Sequence, residues 1–358
     1  MKILLLVPGF NFGGAENHVR DLANSMDDAG NDVFVISKPG LQKNRLNSSV
    51  RFVSLKMKDI FLPFHLIYIC FFIKRNRIDI IHAHKRLAIF LGCVAGKLMR
   101  IPVVVTVHGN PHYDLRTRIS GKWADRVIFV SKRHLDGNGI YKRLGNKSAF
   151  IQNGVKWFEN DSERDLNSMT YISRIDSRHA EVIIMLVKEV LPRVLRDFPA
   201  IKFNVIGDGK SLENIRKEAD ALNISNNREI CVVHGYVPEV EPMVRRSGLV
   251  LGVGRAAIYS LALGIPVISI NQQHMGGFVS EENYRFYQEN NFVAKNFKGP
   301  DTDLLAGMLR EYLADTGRFQ KEAAILQNYV RTDFSLETMT KRILEIYDLL
   351  IRASGGKN

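Results

Sequence analysis

Cysteine is scarce: Cys70, Cys93 and Cys231 are the three in 358 residues, each in apolar surroundings and none in Cys-x-x-Cys spacing. That excludes a disulfide framework or a zinc site built on cysteine, and it suits a reducing compartment. There is no arginine-rich low-complexity arm, no zinc-knuckle spacing and no aromatic RNA-binding signature, so nucleic acid is not the expected partner. Neither Gly-x-Gly-x-x-Gly nor a Walker loop is present, and no short-period repeat runs through the chain. The strongly apolar stretch from Ile60 to Ile73 is too short to span a bilayer and contains Pro63. Acid is in deficit, 37 Asp and Glu against 50 Lys and Arg, and the net charge of +13 calls for an anionic partner such as a phosphate group or anionic lipid.

What is present reads as two folded domains. Hydrophobic residues make up 46% of the chain, enough for two cores at this length. The opening Met1 to Pro8 is followed by a glycine turn in place of a cleavage site and reads as a first strand. Strand-length apolar runs at Ile3 to Val7, Asp32 to Ile36, Ile78 to His82, Val103 to Val107 and Val127 to Val130 alternate with helix-length segments, the pattern of a parallel sheet buried on both faces. The polar stretch from Glu159 to Asp165 reads as a linker, placing a boundary near residue 163. The pattern restarts with strands at Met169 to Ser173, Lys202 to Ile206, Ile230 to Val233, Gly248 to Leu251 and Pro266 to Ile270. Helices are expected over Glu181 to Arg196 and Leu212 to Leu222, and only helical patterns follow Asp301. The expected organisation is an acceptor-binding domain over 1–163, a nucleotide-binding domain over 164–334 and a final helix over 335–358 packing back on the first, with a doubly wound parallel α/β sheet in each domain.

Candidate chemistry gathers at strand ends. Gly13 and Gly14 follow strand one and open a helix, where backbone N–H groups meet anions. His82 and His84, two apart in an extended segment, share a face, and His84 and Lys85 stand where a crevice ligand would bind; a metal there lacks an evident third ligand. His108 ends another strand and suits a hydroxyl or phosphate contact. Arg174, Arg178 and His179 cluster where a strand gives way to a helix, chemistry for a diphosphate. Gly254 and Arg255 form a second glycine-dense strand end, and Met275 to Ser280 a third glycine turn, followed by Glu281 and Glu282. The apolar stretch at 60–73, with Lys74, Arg75 and Arg77 behind it, reads as a buried helix with membrane contact at its edges.

Taken in order, the Gly13-Gly14-Ala15-Glu16 loop, Asp79 to His84, Val105 to Gly109, Ala124 to Ser131, Ile151 to Val155, Ile172 to Ile175, Gly207-Asp208-Gly209 and Ala262 to Ile268 resemble glycosyltransferase family 4 over nearly the whole chain. The resemblance implies the GT-B architecture, two Rossmann-like domains with the reaction in the cleft, and retention of anomeric configuration. It implies His108 and Arg174 as catalytic residues, and Gly13, Gly14, Arg174, Arg178 and His179 around the donor diphosphate. Their strand-end positions put Gly254 and Arg255 at the nucleotide and His84 and Lys85 at the acceptor, and Tyr259 and Glu282 are expected at the nucleotide as well. The family's phosphate-binding lysine falls near Arg178 or His179. No metal or other cofactor is implied, because cations and helix termini stabilise the leaving diphosphate.

One departure bears on activity. The family's Glu-x7-Glu pair is missing: its second position aligns with Tyr259 and its first with Leu251 or a neighbouring glycine. A lost charge-assisted hydrogen bond to the ribose costs about 1.5–3 kcal/mol, and Tyr259, Glu281 and Glu282 are the candidates to substitute. The expected function is sugar transfer from a nucleotide-diphosphate donor, UDP-sugar ahead of GDP-sugar, to a lipid-linked or polysaccharide acceptor in cell-envelope glycan synthesis. The expected location is cytoplasmic, on the inner face of an anionic membrane. The rival is a degenerate member that binds nucleotide-sugar or a partner transferase without turnover; an epimerase on the same double fold would need acid and base carboxylates that have no place here.

Overall fold

The computed structural model describes residues 1–11, 13–109, 114–132, 145–157, 163–295 and 297–355. Phe12 of the glycine loop, Asn110 and residues 159–162 of the expected linker lie outside the described residues. The chain divides into two compact units, Met1–Lys156 with Phe334–Asn358, and Trp157–Asp333.

In the first unit the elements run β1 (Lys2–Gly9), α1 (Gly14–Asp28), β2 (Asp32–Lys38), β3 (Arg51–Ser54), α2 (Leu62–Asn76), β4 (Ile80–His84), α3 (Arg86–Met99), β5 (Val103–Val107), α4 (Leu115–Trp123), β6 (Arg126–Phe129) and β7 (Ser148–Phe150). The strands form one parallel sheet in the order β3-β2-β1-β4-β5-β6-β7. Because side chains alternate along a strand, the apolar run of β1 serves two cores. Leu4 and Leu6 join Ile81, Ala83 and Val105 on the face covered by α2 and α3. Ile3, Leu5 and Val7 join Ile80 and Val104 on the face covered by α1 and the last helix of the chain.

The second unit contains β8 (Asp165–Ile172), α5 (Ser177–Met185), a π-helical turn (Leu186–Val190) leading into α6 (Leu191–Val194), β9 (Lys202–Ile206), α7 (Leu212–Ser225), β10 (Cys231–Gly235), α8 (Glu241–Arg245), β11 (Ser247–Gly252), α9 (Arg255–Ala262), β12 (Val267–Ile270), β13 (Met275–Phe278), α10 (Tyr284–Glu289), α11 (Thr302–Ala314) and α12 (Thr316–Asp333). Its sheet order is β10-β9-β8-β11-β12-β13, parallel except for the antiparallel edge strand β13. Met275 to Phe278, read from sequence as a glycine turn, is therefore a strand. Its glycines have low strand propensity, but residue 276 lies so close to Tyr287 Oη that a Cβ there would come within 2.3 Å, and only glycine lets the edge pair there.

The final helix, α13 (Leu336–Gly355), belongs to the first unit. Leu336, Met339, Ile343 and Tyr347 recur at helical spacing and bury one face in the β1 core. Burying side chains of this size contributes on the order of 1.5–3 kcal/mol each. Gly154 N–H points at Met339 Sδ at 2.9 Å, and Val155 bridges Ser335, so the helix is stitched to the end of the sheet as well as packed on it.

Candidate functional site

In a doubly wound sheet, ligands bind outside the carboxyl ends of the strands where the order reverses. In the first unit that point lies between β1 and β4, and in the second between β8 and β11. The sequence candidates fall at these two places.

At the first, α1 starts at Gly14 with Gly13 as N-cap and no side-chain cap from that residue. Glu16, in the first turn, folds back over it: a Cβ on residue 13 would come within 2.4 Å of Glu16 Oε2. The buried Glu16 carboxylate pairs with the Lys85 ammonium. Lys85, expected to face an acceptor, is thus held by the glycine loop's own acid. Its backbone sits at φ 65, ψ 146, outside the regions that side-chain-bearing residues favour, at a cost of order 1–3 kcal/mol.

Next to it lies a layer of histidines. His82 and His84 do share a face, with ring centroids 4.3 Å apart. His82 is fully buried; Nδ1 meets the Tyr347 hydroxyl from α13, and Nε2 lies 2.7 Å from Thr106 Oγ1. Burial, reinforced by His18, holds the His82 imidazole well below its usual range, so it is neutral. Burial also holds the Tyr347 phenol well above its own, so Tyr347 and Thr106 each offer a neutral hydroxyl to one ring nitrogen of His82. His84 is fully buried too, and its Nδ1 lies 3.1 Å from His108 Nε2. Burial, followed by the neighbouring rings of His82, His108 and His18, keeps His84 neutral. The sequence assigned His84 to the acceptor; full burial leaves it to act through His108, which is half-buried at the end of β5. His18 of α1 completes the group, its ring centroid 4.8 Å from that of His108.

Ring nitrogens of His18, His84 and His108 all lie within 4.8 Å of one another, the donor number of a three-histidine divalent site. This trio is not the pair read from sequence: His82 lies outside it, His108 joins His84, and the third member is His18. It was legible only as one of the buried positions of α1, beside Ala15, Val19 and Leu22. Tyr347, 265 residues from His82, carried no local signal at all.

At the second place, Arg174 stands exposed just past β8, and Arg178 and His179 lie in the first turn of α5. Asp176 caps that helix, accepting from the Arg178 and His179 N–H groups and sitting 2.7 Å from His179 Nδ1. Burial works upward on the Asp176 carboxyl, but the His179 ring and these N–H donors prevail and hold it below its usual value. The first turn expected to cradle a diphosphate therefore already holds a carboxylate. The start of α9 is different: Gly254 at φ 60 is its N-cap, no side chain caps it, and its first turn holds Arg255 and no acid. The Gly254 N–H donates to Asn291 O at 3.1 Å.

Tyr259, in place of the expected glutamate, lies on α9 beside Glu241 and Arg245, which pair with each other. Burial, with the Glu241 carboxylate, holds the Tyr259 phenol well above its usual range, so it offers a proton and no charge. Glu281 accepts from the Tyr329 hydroxyl at 2.6 Å, and Glu282 is exposed in the turn before α10. Glu241 is the acid that comes to the Tyr259 neighbourhood, from α8 rather than from the turn after β13 where the sequence pattern pointed. Burial pushes the Cys93 and Cys231 thiols up to about 12, so neither is a nucleophile.

The sequence model of Glycosyltransferase Family 4 matches residues 12–156, the stretch that carries Gly13, Gly14 and the four histidines of the layer, His18, His82, His84 and His108. That match lies within the first unit. Over the full chain, the solved structure of a glycosyltransferase from Rickettsia africae superposes with a TM-score of 0.75 at 19% identity, covering 98% of each chain. Anabaena HepE in complex with UDP-glucose gives 0.72 at 16% identity, covering 97% of this chain and 99% of its own. These likenesses establish the fold, the GT-B architecture expected from the motifs. Among curated proteins, a subunit of the phosphatidylinositol N-acetylglucosaminyltransferase of Arabidopsis thaliana is 26% identical over 253 residues, 61% of this chain. The match spans 55% of that relative, about half its length. The histidine layer lies within the matched stretch.

Proposed function

We propose that this chain is a glycosyltransferase that moves a sugar from a UDP-sugar to a hydroxyl of a lipid-linked or polysaccharide acceptor, with retention and without a metal, in envelope glycan synthesis at the inner face of a membrane. The observation that carries the reading is the neutral His84 ring bonded to His108 at the ends of β4 and β5, inside the stretch that the family 4 model matches. His84 fixes the His108 ring, which then presents a set hydrogen-bonding edge to a sugar hydroxyl. In the second unit, Arg174 and the acid-free start of α9 supply positive potential for a diphosphate on which charge builds as the glycosidic bond breaks. Arg178 and His179, tied to Asp176, contribute less. The UDP-glucose bound to HepE supports uridine, and the Arabidopsis relative's name supports a phosphatidylinositol-type acceptor and N-acetylglucosamine.

Calorimetry with UDP and GDP, on the native chain and on Arg174→Ala, tests the donor half. UDP is expected to bind, and the variant to bind roughly 10- to 150-fold more weakly, the equivalent of about 1.5–3 kcal/mol. Turnover of the UDP-sugar is expected to survive chelator treatment. Loss of turnover on chelation, restored by a divalent ion, would assign a metal to His18, His84 and His108.

One observation favours a second reading, a binder without turnover: an uncharged phenol at residue 259 has replaced the ribose-binding acid, and its neighbour Glu241 is committed to Arg245. UDP binding with no transfer to any lipid-linked or glycan acceptor would establish it.

A further inference from the structure

Helix α2 breaks the rule by which soluble helices are made. A helix that is apolar all round belongs in a core, yet only His65, Ile69 and Ile73 of α2 are fully buried against the sheet. The opposite side is open: Ile60 is 79% exposed, Phe64 69%, Ile67 68% and Phe71 59%, with Phe61 and Tyr68 beside them. Residues 64, 67, 68 and 71 follow one another at helical spacing and form a continuous apolar stripe. Packing within the unit does not account for it, and large exposed apolar patches mark interaction sites.

The charge around the stripe says what it meets. Lys56 and Lys58 precede it, Lys74, Arg75 and Arg77 follow it, and all five are exposed. Asp59 is the one acid between Arg51 and Ile78, and it is neutralised by Arg116 of α4. On the same helix, α4, Leu115 and Arg118 are also exposed. Apolar and aromatic side chains bracketed at both ends by cations match a bilayer interface, where rings enter the acyl boundary and cations meet anionic headgroups. With 15 residues α2 is about 22 Å long, and no described helix is long and apolar enough to cross a membrane.

We infer that the outer face of α2 lies in the surface of an anionic phospholipid bilayer, with Phe64, Ile67 and Phe71 inserted and Lys58, Lys74 and Arg75 on the headgroups. This identifies the surface through which the membrane part of the reading above would act. It uses none of the residues placed at the donor or histidine sites, so it stands or falls separately from sugar transfer.

The test is co-sedimentation of the full chain with vesicles of phosphatidylcholine alone and of phosphatidylcholine with phosphatidylglycerol, at low and high salt. Two variants are compared, Phe64→Ser/Ile67→Ser/Phe71→Ser and Lys74→Glu/Arg75→Glu. These side chains are exposed, so both variants should keep the native melting temperature and UDP affinity, which are measured alongside. The native chain is expected to bind the anionic vesicles and to release with salt. The apolar variant should lose at least about tenfold in partitioning at either salt, and the charge variant should lose its preference for anionic lipid. A native chain that stays in the supernatant with anionic vesicles at low salt overturns the inference. So does an apolar variant that binds equally well, or a dimer of the native chain that this variant dissociates without any vesicle binding. Vesicle binding without UDP binding would leave this inference standing and sink the transfer reading.

Discussion

At the scale of single residues, the histidine layer carries both a cost and a use. Two imidazoles with no exposure, His82 and His84, are held neutral because charging either would bury an ion among other histidine rings. Their folded-state proton affinity lies below that of the unfolded chain, whose histidines titrate at about 6.5. Above that pH both states are neutral at these rings and stability is full. As pH falls below it, the unfolded chain takes up protons that the folded one refuses, and the folding constant drops by up to roughly tenfold per pH unit for each ring. Urea unfolding across this window measures it; a midpoint that does not move as pH is lowered would refute the burial argument. Tyr347→Phe removes the hydrogen-bond partner of His82 Nδ1 without changing shape and is expected to cost about 1–3 kcal/mol, read from the same unfolding curves. His108→Ala should lower turnover by about 10²–10³ while leaving UDP affinity unchanged. His84→Ala should lower it less, since His84 acts through His108. Equal UDP binding but no loss of turnover in His108→Ala would remove the histidine from the chemistry.

At the scale of elements, the starts of α1 and α5 each hold an acid of the chain itself, Glu16 and Asp176, where the strand-turn-helix pattern suggested open anion sites. A carboxylate satisfies orphan N–H groups and the helix dipole better than water does, so a local sequence can close its own phosphate site. Asp176→Ala is expected to lower stability by about 0.5–2 kcal/mol through the lost cap. It should not weaken UDP binding, because Asp176 repels a diphosphate. Weaker UDP binding in a variant of native melting behaviour would show instead that Asp176 positions His179 for the donor. The start of α9 has the opposite character, with Gly254 in a left-handed conformation and Arg255 behind it.

At the scale of the molecule, the chain leaves the first unit, completes the second and returns. Helix α13 covers the core built from β1 and supplies Tyr347 to the histidine layer, so the first unit is incomplete without it. A chain ending at Asp333 would expose Ile3, Leu5, Ile80 and Val104 together with His82. It is expected to lose the cooperative unfolding of the first unit in calorimetry while keeping that of the second. With the full chain, UDP at a hundredfold excess over its dissociation constant should stabilise the unit that binds it by about 2.7 kcal/mol. A shift in the first unit's transition alone would contradict the placement of the donor on Arg174 and α9.

Periodicity and strand-end residues in the sequence by themselves determined two parallel α/β sheets, most of their strands, and which segments reach the switch points. Alternation along a strand made the shared face of His82 and His84 legible, and helical spacing made the buried face of α13 legible. Short edges escaped: β3, β7 and β13 carry four, three and four residues, and their pairing comes from neighbouring strands more than from local propensity. Tertiary structure alone decided which polar groups pair. Glu16 with Lys85, His18 with His84 and His108, Tyr347 with His82 and Glu241 beside Tyr259 join segments that are far apart in the chain. It also decided that α2, apolar on every side, is covered on only one. A side chain's hydrogen-bond partner and its exposure depend on what the rest of the chain brings within a few ångströms, and no local pattern encodes that.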